Sequence, residues 1–137
     1  MINLYRIGIR YFLIMLLMLF VTGIWLLLLH ASFSLESFTN YYVEKSILGL
    51  LEVTTPHLFS MGIVIFILTH FLSLNKKNSP FESKLTLTLF SIMLISNFSS
   101  FLITQETTYL IWIKIISTFL FLLLSLLSMS LVLLRLK

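Results

Sequence analysis

Apolar residues fall in four long stretches separated by short polar patches, and this pattern sets the class of fold. The first stretch runs from Tyr11 to Leu29 without a charge, the second from Leu58 to Leu74 with only His70 interrupting it, the third from Leu85 to Thr104, and the fourth from about Tyr109 to Leu134. Each reaches the roughly 17 to 25 residues that a helix rising about 1.5 Å per residue needs to cross hydrocarbon about 30 Å thick. Backbone amides find no water inside lipid, so segments of this kind must satisfy their own hydrogen bonds as helices. The pattern predicts an all-α integral membrane protein, a four-helix up-down-up-down transmembrane bundle, with spans at about 11–30, 56–74, 85–104 and 109–134. The connections Asn75–Ser83 and around Gln105 and Glu106 are short and turn-rich, which forces antiparallel neighbours and makes residues 1–137 a single transmembrane domain.

The longest polar segment follows the first span. After Ala31–Asn40, the residues Val43, Ile47, Leu48, Leu50 and Leu51 approximate helical spacing and predict a short interfacial helix at about 41–53. Thr54 and Thr55 suit an N-cap and Pro56 suits a first helical turn, so the second span is expected to start there. A single helix running through Pro56 would leave the Glu52 carbonyl without its usual donor.

Composition agrees with this class. The chain is 59% hydrophobic and 10% charged, too few charges to cover a water-soluble surface, for which the usual share is roughly 25%. Placement then gives the net charge of +4 its meaning. Arg6, Arg10, Lys76, Lys77, Lys84, Arg135 and Lys137 lie on one side of the predicted bundle, whereas Glu36, Glu44, Glu52 and Glu106 lie on the other. By the positive-inside rule the basic side is cytoplasmic, and the expectation is a multi-pass protein of the cell inner (cytoplasmic) membrane with both termini in the cytoplasm. The charge reads as topology, and no nucleic acid is expected as a partner. Tyr5 and Tyr11 at the inner edge, and Trp25, Tyr41, Tyr42, Tyr109 and Trp112 toward the outer one, form the two interfacial aromatic belts. Lys114, about 9 Å along the fourth span, is expected to snorkel outward past Trp112. The apolar run after Arg10 exceeds the usual 7 to 15 or so residues of a signal peptide, and Ser32-Phe33-Ser34 is a poor cleavage site, so the first helix is expected to stay.

Chemistry is narrowed by what the composition lacks. Without cysteine there is no disulfide, thiolate-ligated zinc or iron–sulfur cluster, and without aspartate or a glycine-rich phosphate loop there is little for nucleotide chemistry. His57 and His70 sit 13 residues apart on the second span, about 19.5 Å along its axis. This spacing resembles the cytochrome b arrangement, in which paired histidines hold one haem near each membrane face, and it makes His57 and His70 candidate haem b ligands. The resemblance is one of spacing only. Thirteen steps of about 100° set the two rings roughly 140° apart, and the third and fourth spans have no histidine, so the remaining ligands would come from a second copy or from Met15, Met18 or Met93.

His30 ends the first span and His57 opens the second, with Glu52 nearby, a candidate metal cluster of His30, His57 and Glu52 without diagnostic spacing. Within the second span, His70 needs a polar partner and is either functional or bonded to Ser, Thr or Asn97 of a neighbouring helix. The serines of the third and fourth spans are accounted for by close helix packing.

These readings favour a non-catalytic accessory, assembly or interaction subunit of a membrane complex, with no resident cofactor. Its partners would be the lipid bilayer and other membrane-protein subunits or further copies of the chain. The alternative is a small haem b-binding or quinone-linked electron carrier using His57 and His70. A transporter or channel ranks behind both, because intramembrane charge and broken helices are sparse.

Overall fold

The computed structural model describes residues 2–31, 34–73 and 80–136, and every regular element among them is helical. Helix α1 spans Ile2–Ala31, α2 Leu35–Val43, α3 Ile47–Ser73, α4 Pro80–Leu102 and α5 Ile111–Arg135, with one 3₁₀ turn at Thr108–Leu110 leading into α5. Four stretches are long and apolar enough to cross a membrane: Tyr5–Leu29, Ile47–Ser73, Pro80–Leu102 and Thr108–Arg135. They form the expected up-down-up-down bundle.

Several helices start earlier than the sequence predicts: α1 at Ile2 rather than about 11, α4 at Pro80 rather than 85, and the interfacial helix and α3 as well. The interfacial helix lies earlier, at Leu35–Val43, because its start is fixed by a cap rather than by apolar spacing: Ser34 is extended (φ −120°, ψ 142°) and its hydroxyl accepts the Ser37 amide at 3.1 Å. Glu36 sits in the first turn, where the helix dipole favours an anion. The residues expected to form that interfacial helix are instead the opening turns of α3, with Ser46 accepting the Gly49 amide at 3.1 Å as their cap.

Pro56 is therefore inside α3, a helix about 40 Å long. Pro56 has no N–H to give the Glu52 carbonyl, a loss that a membrane helix packed against its neighbours tolerates. Here the Ser60 hydroxyl donates to the Pro56 carbonyl at 2.6 Å, and His57 Nδ1 lies 3.1 Å from the Val53 carbonyl, a bond that needs the Nδ1–H tautomer.

Packing is uneven. The tightest pairs are α4 with α5 and α3 with α4. Their shared core comprises Ile65, Leu68 and Leu72 of α3, Leu85, Leu89 and Met93 of α4, and Phe121, Met129 and Val132 of α5. Helix α1 joins this core through buried Ile9, Leu13 and Leu16, with Phe12 and Phe20 partly buried against it and Phe12 edge-on to Phe71, and Val21–Leu27 face outward. At the opposite end from the start of α1, Phe38 of α2 packs with Ile103 and Ile111 in a second apolar cluster, which Tyr42 and Val43 extend. Helix α2 thus caps the junction between α4 and α5.

Candidate functional site

Three groups of polar side chains lie at the helix interfaces among the described residues. The largest group surrounds Ser96, at the α4–α5 interface near α2. Helices approach most closely where residues are small, and Ser96, Ser99, Ser100 and Ser117 are all buried there. The Ser96 hydroxyl shares a hydrogen bond with Thr118 at 2.9 Å, while its carbonyl accepts from Ser99 Oγ at 2.9 Å and from Lys114 Nζ at 2.5 Å. The Lys114 ammonium also lies 5.7 Å from the centroid of the Tyr42 ring, within the range of a cation–π contact. Burial, aided by neighbouring Tyr41, pushes the Tyr42 phenol up to about 12.

Lys114 thus turns inward, to a backbone carbonyl and an aromatic face, rather than outward past Trp112. The reason is proximity. Its helix register points it across the interface to the Ser96 carbonyl, so the ammonium reaches a charge-assisted acceptor without stretching to the membrane surface.

Asn97 forms the second group. Its Nδ2 donates to the Met93 carbonyl at 2.8 Å and lies 3.6 Å from Met61 Sδ of α3. Deeper in the same bundle, Ser128 returns its hydroxyl to the Leu124 carbonyl at 2.8 Å, and the buried Ser125 hydroxyl has no hydrogen-bond partner among the described residues.

The third group lies at the end of the bundle where α1 starts and α5 finishes. Buried Glu82, in the first turn of α4, pairs with Arg135 in the last turn of α5. The same guanidinium donates to the Leu72 carbonyl, one of the last carbonyls of α3, which have no partner within their own helix. One side chain therefore fastens the ends of three helices.

His57 and His70 fall outside these groups. Both are exposed on α3, and the His70 ring stacks on Phe66 with centroids 6.4 Å apart. Of the alternatives for His70, a bond to Asn97 is not made, because Asn97 is engaged by Met93 and Met61 while the register of α3 turns the imidazole outward. Glu52 is exposed as well, and its five-residue offset from His57 sets the two about 140° apart on α3. The His30 side chain lies outside the described residues, and among those described no three His, Cys, Asp or Glu come together as a metal-binding group.

The interhelical contacts of Lys114, Glu82 and Arg135 are absent from the sequence reading, although one signal was present. Glu82 is the single glutamate on the basic side, and Arg135 is one of the basic residues at the helix ends gathered there.

A bundle of apolar spans with its internal polar groups bonded across helix interfaces defines a polytopic α-helical membrane protein. Residues 33–137, about three quarters of the chain, match the Aq_1264_TM family, described as a transmembrane helical domain, and the chain belongs to that family. No curated protein and no solved structure matches it. The matched region begins after α1, so it comprises α2 to α5.

Proposed function

We propose that the protein is a non-catalytic accessory or assembly subunit of a larger complex in the cytoplasmic membrane, with both termini on the cytoplasmic side. The observation that carries this reading is the state of α1. It lies outside the segment that matches the family, fully buries Ile9, Leu13 and Leu16 alone among its described residues, with Phe12 and Phe20 partly buried beside them, and leaves Val21–Leu27 exposed. Lipid is as apolar as leucine, so helices in a bilayer associate through packing rather than hydrophobic burial, and a helix packed so sparsely is free to pack against another subunit. The polar groups inside the bundle support the same reading, since most are bonded between or within helices.

Photo-crosslinking amino acids placed at Met18 and Trp25 of α1, and at Leu87 and Phe98 on the outward face of α4, test it in native membranes. A discrete protein adduct is expected from the α1 positions and lipid adducts alone from α4. Lipid adducts alone from all four positions would end the proposal. In the same material a reduced-minus-oxidised spectrum without haem bands is expected, and tags on the two termini are expected to report the cytoplasm.

A further inference from the structure

Sparse packing of α1 leaves an apolar groove of about 260 Å³ between it and α5, lined by Leu13, Ile14, Leu17, Met129 and Leu133, with Arg10 at one end. We propose that this groove binds one anionic phospholipid of the leaflet on the side of the chain ends, with Arg10 on the phosphate and an acyl chain along the apolar walls. This inference stands independently of the accessory-subunit reading.

Dimensions fit a lipid tail. From Arg10 to Leu17 the groove runs about 10 Å along α1, roughly two thirds of a leaflet whose hydrocarbon is half of about 30 Å. The antiparallel course of α5 places Leu133 beside the Arg10 end and Met129 deeper, so polarity falls steadily from the boundary inward. Leu13 and Met129 are buried and form the floor, whereas Ile14, Leu17 and Leu133 form exposed rims.

Charge selects the headgroup. Arg10 is exposed and has no hydrogen-bond or ion-pair partner among the described residues. Arg6, one turn earlier and about 40° around the helix, is exposed on nearly the same face. Guanidinium matches phosphate with paired N–H donors, and basic groups beside membrane helices recognise anionic headgroups in this way. Other occupants fit less well. A second copy seated symmetrically here would bring Arg6 and Arg10 toward their own counterparts. Glu82, the one glutamate on this face among the described residues, is already held by Arg135.

Native mass spectrometry of the full chain in detergent tests the site, with phosphatidylglycerol and phosphatidylcholine of matched acyl chains at equal concentration. Phosphatidylglycerol is expected to be retained preferentially. Arg10→Gln should weaken its retention about fivefold, the effect of one cation at an anionic lipid surface. Arg10→Lys should keep most of the preference, and Lys84→Gln, a basic residue away from the groove, should leave it unchanged. Leu17→Trp, which fills the groove while keeping Arg10, should reduce retention of both lipids. Equal retention of the two lipids, an Arg10→Gln preference matching that of the parent chain, or a lipid-free dimer would overturn the proposal.

Discussion

Tyr42 shows how far a single side chain can be shifted by the contact that holds it. Its ring packs beside Phe38 and Tyr41, with centroids 5.3 and 5.1 Å apart, and burial removes water from the group that would carry the phenolate charge. With its ordinary value of 10.0 raised to about 12, the folded chain keeps a proton that the unfolded chain has released between those values. Stability from this residue is complete below pH 10 and is lost as pH rises toward 12, because the folded state binds more protons across that window. A spectroscopic titration of phenolate should therefore show one of the five tyrosines ionising last, and Tyr42→Phe should delete that step. Coincident ionisation of all five near the ordinary value would refute the assignment. None of this was legible beforehand, because the sequence places Tyr42 in an aromatic belt without saying that α2 folds down over α4 and α5.

At the scale of elements, α2 is held by one cap and one apolar contact, and the two can be separated. Ser34→Ala removes the hydroxyl that accepts the Ser37 amide and is expected to cost about 1 kcal/mol, the usual worth of an N-cap. Phe38→Ala removes the buried residue of the second apolar cluster contributed by α2, and is expected to undock the helix. Hydrogen exchange over residues 35–43 distinguishes the outcomes: modestly faster exchange for Ser34→Ala, and loss of protection for Phe38→Ala with α4 and α5 unaffected. Unchanged protection in Phe38→Ala would mean that α2 is held by other contacts. Apolar spacing predicted this helix some residues too late, because Leu35–Val43 has few strongly apolar positions and takes its start from Ser34. Helix α3 was predicted too short for the opposite reason, since Pro56 read as a first-turn residue although a membrane helix can enclose it.

For the molecule as a whole, the joint between Glu82, Arg135 and the end of α3 decides how firmly the bundle closes at the side of the chain ends. A salt bridge half open to water is worth little, but Glu82 is buried, and removing one partner of a buried pair leaves the other uncompensated. Glu82→Leu and Arg135→Met are each expected to destabilise the protein by about 1 to 3 kcal/mol, below the full cost of breaking a fully buried pair because Arg135 keeps some solvent access. The double variant should be less destabilised than the sum of the two, with a coupling of about 1 kcal/mol or more in a double-mutant cycle of unfolding in mixed micelles. Additive effects would show that the pair does not fasten the helices.

That four helices cross a membrane, and which charges flank them, follows from the order of residues alone, because hydropathy and length are sums over neighbouring residues and need no knowledge of the rest of the chain. So does the abundance of hydroxyl side chains where α4 and α5 meet. The direction in which each polar side chain points is settled by packing. A helix turns about 100° per residue, so a small rotation set by packing is enough to send His70 outward, bring Lys114 to the Ser96 carbonyl, bind Asn97 to Met93 and Met61, and join Glu82 to Arg135 across 53 residues of chain. The groove beside α1 belongs to the same category, since it exists only where α1 and α5 come side by side in the folded chain.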